Sequence, residues 1–288
     1  MPNRVDLSHF DHCAALVRDA DRDRYLATLF APADKRDALF ALYAFNVEIS
    51  RVREVAREPM PGEIRLQWWR EVLSGERDGE AAAHPVAAAL LDGLRRNAIA
   101  PDRLAGIVDA HTFDLYDEPM ATLDSLDNYG VMTQSALIDI AAAILGGGGP
   151  NSMMLIRHAG IADAVTHVLA GLARHAARRQ LYIPLEVLDR HAVDREDIFA
   201  ARASDPLKAA LGEMRRHARR QMAAARLEMA DAPAAILPAL LPLALLAPTL
   251  RPMERRGYEP FDVVPLSSLR RQWLIWRAAR DPKRIFGA

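Results

Sequence analysis

Residues 32–58 read PADKRDALFALYAFNVEISRVREVARE, and the spacing of apolar side chains in this stretch decides the fold class. Leu42, Phe45, Ile49 and Val52 recur at intervals of three and four residues, the period that places side chains on one face of an α-helix. A strand would alternate instead. Asp34, just after Pro32, is expected to cap the start, with Asp37 three residues on as an acidic variant of the capping box. The helix is expected to run on until Pro59, whose ring and missing N–H stop it.

The same period extends outward on both sides. A second helix should carry Ile64, Leu66, Trp68 and Trp69 up to the Ser74-Gly75 break. Further helical patterns cover residues 85–97, 101–116, 123–145, 153–179, 206–230 and 267–280. Alternating Val/Ile/Thr runs are almost absent, so the fold class is all-α. At roughly 150 residues per domain, 288 residues would allow two domains. With no Gly/Ser linker, low-complexity block or internal repeat, a single domain over residues 1–288 is the simpler expectation.

Composition narrows the function. Thirty-seven Lys and Arg against 38 Asp and Glu give a net charge of -1, without the broad basic excess that binds nucleic acid. One cysteine, Cys13, excludes an internal disulfide and a Cys-rich metal site. Residues 1–10 contain no apolar run and match neither a secretory signal nor a transit peptide, so the mature chain is expected to start here. Residues 232–250 are uncharged over a length that could cross a bilayer. Pro233, Pro238, Pro242 and Pro248 argue instead for kinked helices buried in a core.

Several local patterns imitate known sites and fail on inspection. Gly146 to Gly149 lack a following Gly-Lys-Ser/Thr and a preceding strand, so they read as a helix end before Pro150. Asp19, Asp21 and Asp23 resemble the start of a calcium loop, but Arg24 stands where glycine is needed and Phe30 where a bidentate glutamate is needed. Asp114, Asp117 and Glu118 are read as solvated acids ahead of Pro119 rather than as a cation site. His167 and His175, eight residues apart, would stand about 12 Å apart on one helix and cannot clamp one metal. No Gly-x-Ser-x-Gly elbow exists, and nothing around Cys13 marks a nucleophile.

Tyr25-Leu26-Ala27, Pro32, Arg36 and Leu42-Tyr43-Ala44-Phe45 together resemble the opening of the squalene/phytoene synthase family, helical enzymes that join two isoprenyl diphosphates head to head. Leu66-Gln67-Trp68-Trp69-Arg70, His84-Pro85-Val86, the frame from Gly160 to Leu181-Tyr182-Ile183-Pro184, Leu237-Pro238-Ala239-Leu240 and Arg256-Gly257-Tyr258 extend the likeness over nearly the whole chain. The resemblance implies an isoprenoid synthase fold, a helical bundle around a central cavity. It also implies two facing aspartate-rich helices, whose carboxylates, one turn apart, hold Mg²⁺ and diphosphate.

Both motifs fail here. Aligned on Tyr43-Ala44-Phe45, the first motif's aspartates fall at Ser50, Arg51 and Glu54. Aligned back from Tyr182-Ile183-Pro184, the second motif's fall at Gly171 and His175, and residues 165–182 contain no acid at all. Arg174, Arg178 and Arg179 add positive charge that repels magnesium. The helix after Pro32 and the helix ending at Arg179 are expected to face each other across the cavity, the second wall being cationic.

The departures form a pattern of their own. Phe40-Ala41-Leu42-Tyr43-Ala44-Phe45-Asn46-Val47-Glu48, Thr133-Gln134-Ser135, His175 and Arg178-Arg179 are similar to the non-catalytic branch of the family, which includes an assembly factor of respiratory complex I. This implies a pseudoenzyme without catalytic or metal-binding residues. Its vestigial ligand-binding positions are Tyr43, Asn46, Glu48, Ser50, Arg51, Glu54, His167, Gly171, His175, Arg178 and Arg179. The partner would be a complex I subunit or assembly intermediate. No cofactor, nucleic acid or membrane span is implied, and the location would be cytoplasmic, peripheral at the inner face of the energy-transducing membrane. Two alternatives stand beside it. One is a head-to-head prenyltransferase using Mg²⁺ with Glu48, Glu54 and Asp114 as donors; the other is a carrier for an isoprenoid, diphosphate-like or quinone-like ligand.

Overall fold

Every residue from Ala38 to Val47 is buried in the Ala33–Ser50 helix, which is therefore apolar all round rather than amphipathic, the mark of a helix at the centre of a core. The computed structural model describes residues 7–55, 58–262 and 265–287, and the start of the chain expected to lack a leader lies largely outside them. Of the described residues 76% are helical, with no strand among them. By backbone proximity it forms two compact units, each assembled from three stretches of sequence.

The first unit comprises Met1–Tyr116, Ala136–Met153 and Ala232–Pro242. Around Ala33–Ser50 pack the helices Leu7–Ala20, Pro85–Arg96 and Ala136–Ile144. Gly93 permits a close approach of Pro85–Arg96 to the central helix: a Cβ there would stand 3.1 Å from the Ala38 Cα. Asp34 does not cap the central helix. Pro32 takes the N-cap position with φ -51° and ψ 142°, no side chain accepts a hydrogen bond there, and Asp34 sits in the first turn, where its charge favours the positive helix end. Nor does the helix reach Pro59. The Ser50 hydroxyl bonds back to the Val47 carbonyl (3.4 Å), Arg51 leaves helical geometry, and a separate turn, Val52–Val55, follows.

The Pro59–Ser74 helix ends as expected, on Gly75 at φ +84°. Gly146 at φ +78° likewise follows Ala136–Ile144. The stretch 101–116 is not one helix: a 3₁₀ turn, Pro101–Leu104, precedes Ala105–Ala110, and another, Phe113–Leu115, follows. Besides Asp78–Ala83, the first-unit helices Leu7–Ala20 and Arg22–Thr28 escape the periodicity reading. Asp21 caps the latter, accepting the Arg24 N–H at 3.1 Å and pairing with the Arg24 guanidinium at 2.7 Å, so the calcium-like acidic stretch is a helix start.

The second unit comprises Asp117–Ser135, Met154–Asp231 and Leu243–Ala288. Leu123–Gly130 passes into a π-helical turn, Val131–Ser135, which interrupts the helix expected over 123–145. That turn lies against Pro150–Ala170, where a Cβ at Gly160 would stand 2.4 Å from the Ser135 nitrogen, and the Ser135 hydroxyl donates to the Arg157 carbonyl at 3.2 Å. The expected 153–179 helix breaks at Gly171 into Pro150–Ala170 and Leu172–Ala177. Backbone bonds Met120 N–H to Leu181 O (3.1 Å) and Leu185 N–H to Met120 O (2.9 Å) fix the segment after it. Asp205–Glu228, capped by Ser204, buries Leu207, Leu211, Met214, Ala218, Met222 and Ala225 along one stripe.

The proline-rich apolar stretch forms short α and 3₁₀ segments between Ala234 and Met253, as kinked helices should. By length and composition alone it could cross a membrane, but 56% of its most apolar window is buried in the protein. Ile236, Leu240, Leu241, Leu246 and Leu250 are among its buried residues.

Candidate functional site

Six of the eleven positions singled out by sequence, Tyr43 to Glu54, belong to the first unit, on Ala33–Ser50 and the turn after it; the other five, His167 to Arg179, belong to the second. Tyr43 and Asn46 are 3% and 6% exposed. The Arg24 guanidinium lies 5.7 Å from the Tyr43 ring centre. Burial pushes the Tyr43 phenol up to about 12, with Arg24 opposing, so the hydroxyl stays protonated at neutral pH.

Glu48 belongs to a cluster drawn from four helices of the first unit. Its carboxylate is 3.8 Å from His84 Nε2. The His84 Nδ1 accepts the Ala87 N–H (3.3 Å), which caps Pro85–Arg96 and leaves the Nε2 proton directed toward Glu48. The rings of Trp68 and Trp69 centre 5.0 and 5.8 Å from the imidazole. The Trp69 indole nitrogen is buried and favours the charged form of the Glu48 carboxylate. Burial pushes the Glu48 carboxyl up, against Arg65 and this indole, and pushes the His84 imidazole down, with Arg65 and His12 adding to the effect. Cys13, buried beside them, rises to about 12 through burial and the Glu48 charge, which leaves it an inert thiol. Sequence reasoning missed this grouping because Cys13, Glu48, Trp69 and His84 are far apart along the chain and follow no common spacing.

The cluster predicts a pH effect. A carboxyl raised above its unfolded value holds its proton better when folded, so its contribution is fully present below about pH 4.5, the unfolded value, and is lost as pH rises through the folded one. Glu48→Gln is therefore expected to melt at a higher temperature than the natural chain at pH 7 and at the same temperature near pH 4. Thermal melts at the two pH values check this; a lower melting temperature at pH 7 would mean that the attraction of Arg65 outweighs burial.

The positions of the first motif hold little for a cation. Arg51 Nε pairs with Glu54 at 3.0 Å on the surface, so the remaining carboxylate is compensated one turn away. In the second unit Gly171 is buried, and the point where its Cβ would stand is 2.5 Å from His175 Cε1 and 2.8 Å from Nε2. The imidazole covers the glycine, its centre 4.8 Å from that of Tyr182. His167 Nδ1 is 2.9 Å from the Asp163 carbonyl and 3.1 Å from its carboxylate; Asp163 is a buried acid one turn ahead of the acid-free window. Its i,i+4 spacing to His167 was the signal that could have found it.

Arg178 and Arg179 are exposed. Arg179 has φ 55° and its guanidinium is held by Glu196 (3.0 Å) and over Phe199 (4.5 Å). Asp114 is buried and 2.6 Å from His111 Nδ1, not solvated as expected. Among the described residues no three His, Cys, Asp or Glu side chains are grouped to hold a metal ion. At the positions where the family resemblance places the second pair of aspartates, glycine and imidazole offer Mg²⁺ no oxygen, so these residues do not fit a magnesium-diphosphate cluster.

The family description "Squalene/phytoene synthase" matches residues 17–277. The chain belongs to the squalene/phytoene synthase family. Among members of this family, the human (Homo sapiens) NADH dehydrogenase (ubiquinone) complex I assembly factor 6 is 28% identical over 252 residues, covering 87% of this chain and 76% of the human protein. The 15-cis-phytoene synthase of Synechocystis sp. is 22% identical over 202 residues, covering 66% and 60%. A crystal structure of a dehydrosqualene synthase in complex with ligand superposes with a TM-score of 0.79 at 15% identity, covering 96% of this chain and 97% of that one. The fold is thus the all-α isoprenoid synthase fold the resemblance implied.

Proposed function

We propose that this chain is a non-catalytic squalene/phytoene synthase family protein that acts in the assembly of respiratory complex I. The observation that carries the reading is the covering of Gly171 by the His175 imidazole at the positions expected for the second pair of aspartates. An imidazole against a bare glycine cannot share Mg²⁺ with diphosphate, and the Arg51–Glu54 pair adds no free carboxylate in the first motif. The longer and closer match to complex I assembly factor 6 than to phytoene synthase supports the same direction.

In this reading the eleven polar and glycine positions are remnants of ligand-binding residues, and the working surface is one that binds protein. The partner is a complex I subunit or assembly intermediate. The chain lies peripherally at the inner, cytoplasmic face of the energy-transducing membrane, with Ala234–Met253 serving as core rather than as a span. Incubation with labelled farnesyl or geranylgeranyl diphosphate and Mg²⁺ tests the loss of chemistry. No apolar product is expected. Presqualene diphosphate, squalene or phytoene formed in repeated turnovers would establish the prenyltransferase alternative; bound isoprenoid without turnover would favour the carrier.

A further inference from the structure

The Ser268–Arg280 helix of the second unit is anchored by Ile275 and Ala278, 1% and 0% exposed. Its opposite face carries Leu269, Trp273 and Trp276, which are 79%, 50% and 44% exposed. Spaced at i, i+4 and i+7, these three side chains fall within about 60° of arc at 100° per residue, and Arg280 completes the row. Exposed large apolar side chains aligned in this way, with two tryptophans among the four of the chain, call for a partner surface.

Charge selects the partner. Residues 268–284 contain six cations, Arg270, Arg271, Arg277, Arg280, Lys283 and Arg284, and one carboxylate, Asp281, which Arg284 already engages at 2.8 Å. In a chain of net charge -1 this is a local excess of five positive charges. The guanidinium of Arg277 lies 4.8 Å from the centre of the Trp273 ring, and that of Arg280 lies 4.1 Å from the centre of the Trp276 ring. Each aromatic ring is therefore presented together with a cation. Rings at the depth of the headgroups, with arginines among the phosphates, are the arrangement of a helix lying in a bilayer interface.

We propose that the Leu269, Trp273, Trp276 face of the Ser268–Arg280 helix docks the protein on a bilayer rich in anionic lipid. This gives the peripheral location above a physical site, yet it stands on the helix alone and does not need the assembly role. The full chain, mixed with phosphatidylcholine vesicles with or without phosphatidylglycerol, should sediment with the anionic vesicles and only weakly with the neutral ones, less so as salt rises. Trp273→Ala with Trp276→Ala should weaken binding about tenfold, since binding follows the apolar area inserted. Arg277→Gln with Arg280→Gln should weaken it about fivefold for each arginine removed. Both pairs face solvent, so unchanged thermal melts would show that folding is intact. No sedimentation of the natural chain with anionic vesicles, or equal sedimentation of the tryptophan variant, would overturn the proposal. If the natural chain ignores vesicles while the tryptophan variant loses complex I support, the face binds a protein and the lipid assignment is wrong. Vesicle binding with normal complex I in a deletion strain would instead uphold this site and reject the assembly role.

Discussion

Gly160→Ala is expected to destabilise the protein by about 2 kcal/mol and to lower its melting temperature by about 4–8 °C. The added Cβ would stand 2.1 Å from the Ser135 hydroxyl oxygen, 2.4 Å from its nitrogen and 2.6 Å from its Cα. Backbone cannot rotate away as a side-chain tip can. Either the π-helical turn Val131–Ser135 or the Pro150–Ala170 helix must move, and the bond from the Ser135 hydroxyl to the Arg157 carbonyl goes with it. Overpacking of this kind costs about 3 kcal/mol at the upper end, and the better helix propensity of alanine returns about 1 kcal/mol. Gly212, inside the Asp205–Glu228 helix, is the control. A Cβ there meets only the ends of Arg215 and Arg216, at 3.5 Å, so Gly212→Ala should stabilise by about 0.5–1 kcal/mol. Calorimetric melts of the two variants should move in opposite directions; a Gly160→Ala melt equal to that of the natural chain would show that the two elements are not in this close contact.

Gly160 also marks the limit of what the sequence displays. Helical spacing made the long elements visible, since Leu42, Phe45, Ile49 and Val52 are buried as their period requires. The same spacing could not locate the breaks at Arg51, Val131–Ser135 and Gly171, because these depend on side-chain bonds and on neighbours distant in sequence. The Arg22–Thr28 helix was concealed because Asp21, its N-cap, stands in an acidic stretch that resembles the start of a calcium loop. At the candidate site, the loss of carboxylates was legible at Ser50, Arg51, Gly171 and His175 once the family frame was laid over the chain. What each replacement does was not. The covering of Gly171 by His175 and the Arg51–Glu54 pair are matters of side-chain placement. The Glu48, His84 and Trp69 cluster depends on four helices meeting in the first unit, which no local pattern announces.

A strain lacking the gene is expected to lose NADH:quinone reductase activity severalfold and to accumulate partly assembled complex I. The physical ground is the separation of fold from chemistry: the isoprenoid synthase scaffold is kept, while the positions at which the family resemblance places the metal-binding aspartates hold a glycine, a histidine and an ion-paired glutamate. In the proposed reading, the function maintained on this scaffold lies in its surface. The gene carrying Glu54→Gln should therefore restore the strain as fully as the natural gene, because removing that last carboxylate takes nothing from a surface that binds protein. The decisive measurement is complex I on native gels, with NADH:quinone reductase activity in isolated membranes, in the deletion strain with and without each gene. Loss of assembled complex with unchanged isoprenoid content, and rescue by both genes, is the predicted result. Normal complex I with altered isoprenoids, or rescue that fails when Glu54 is replaced, would contradict it.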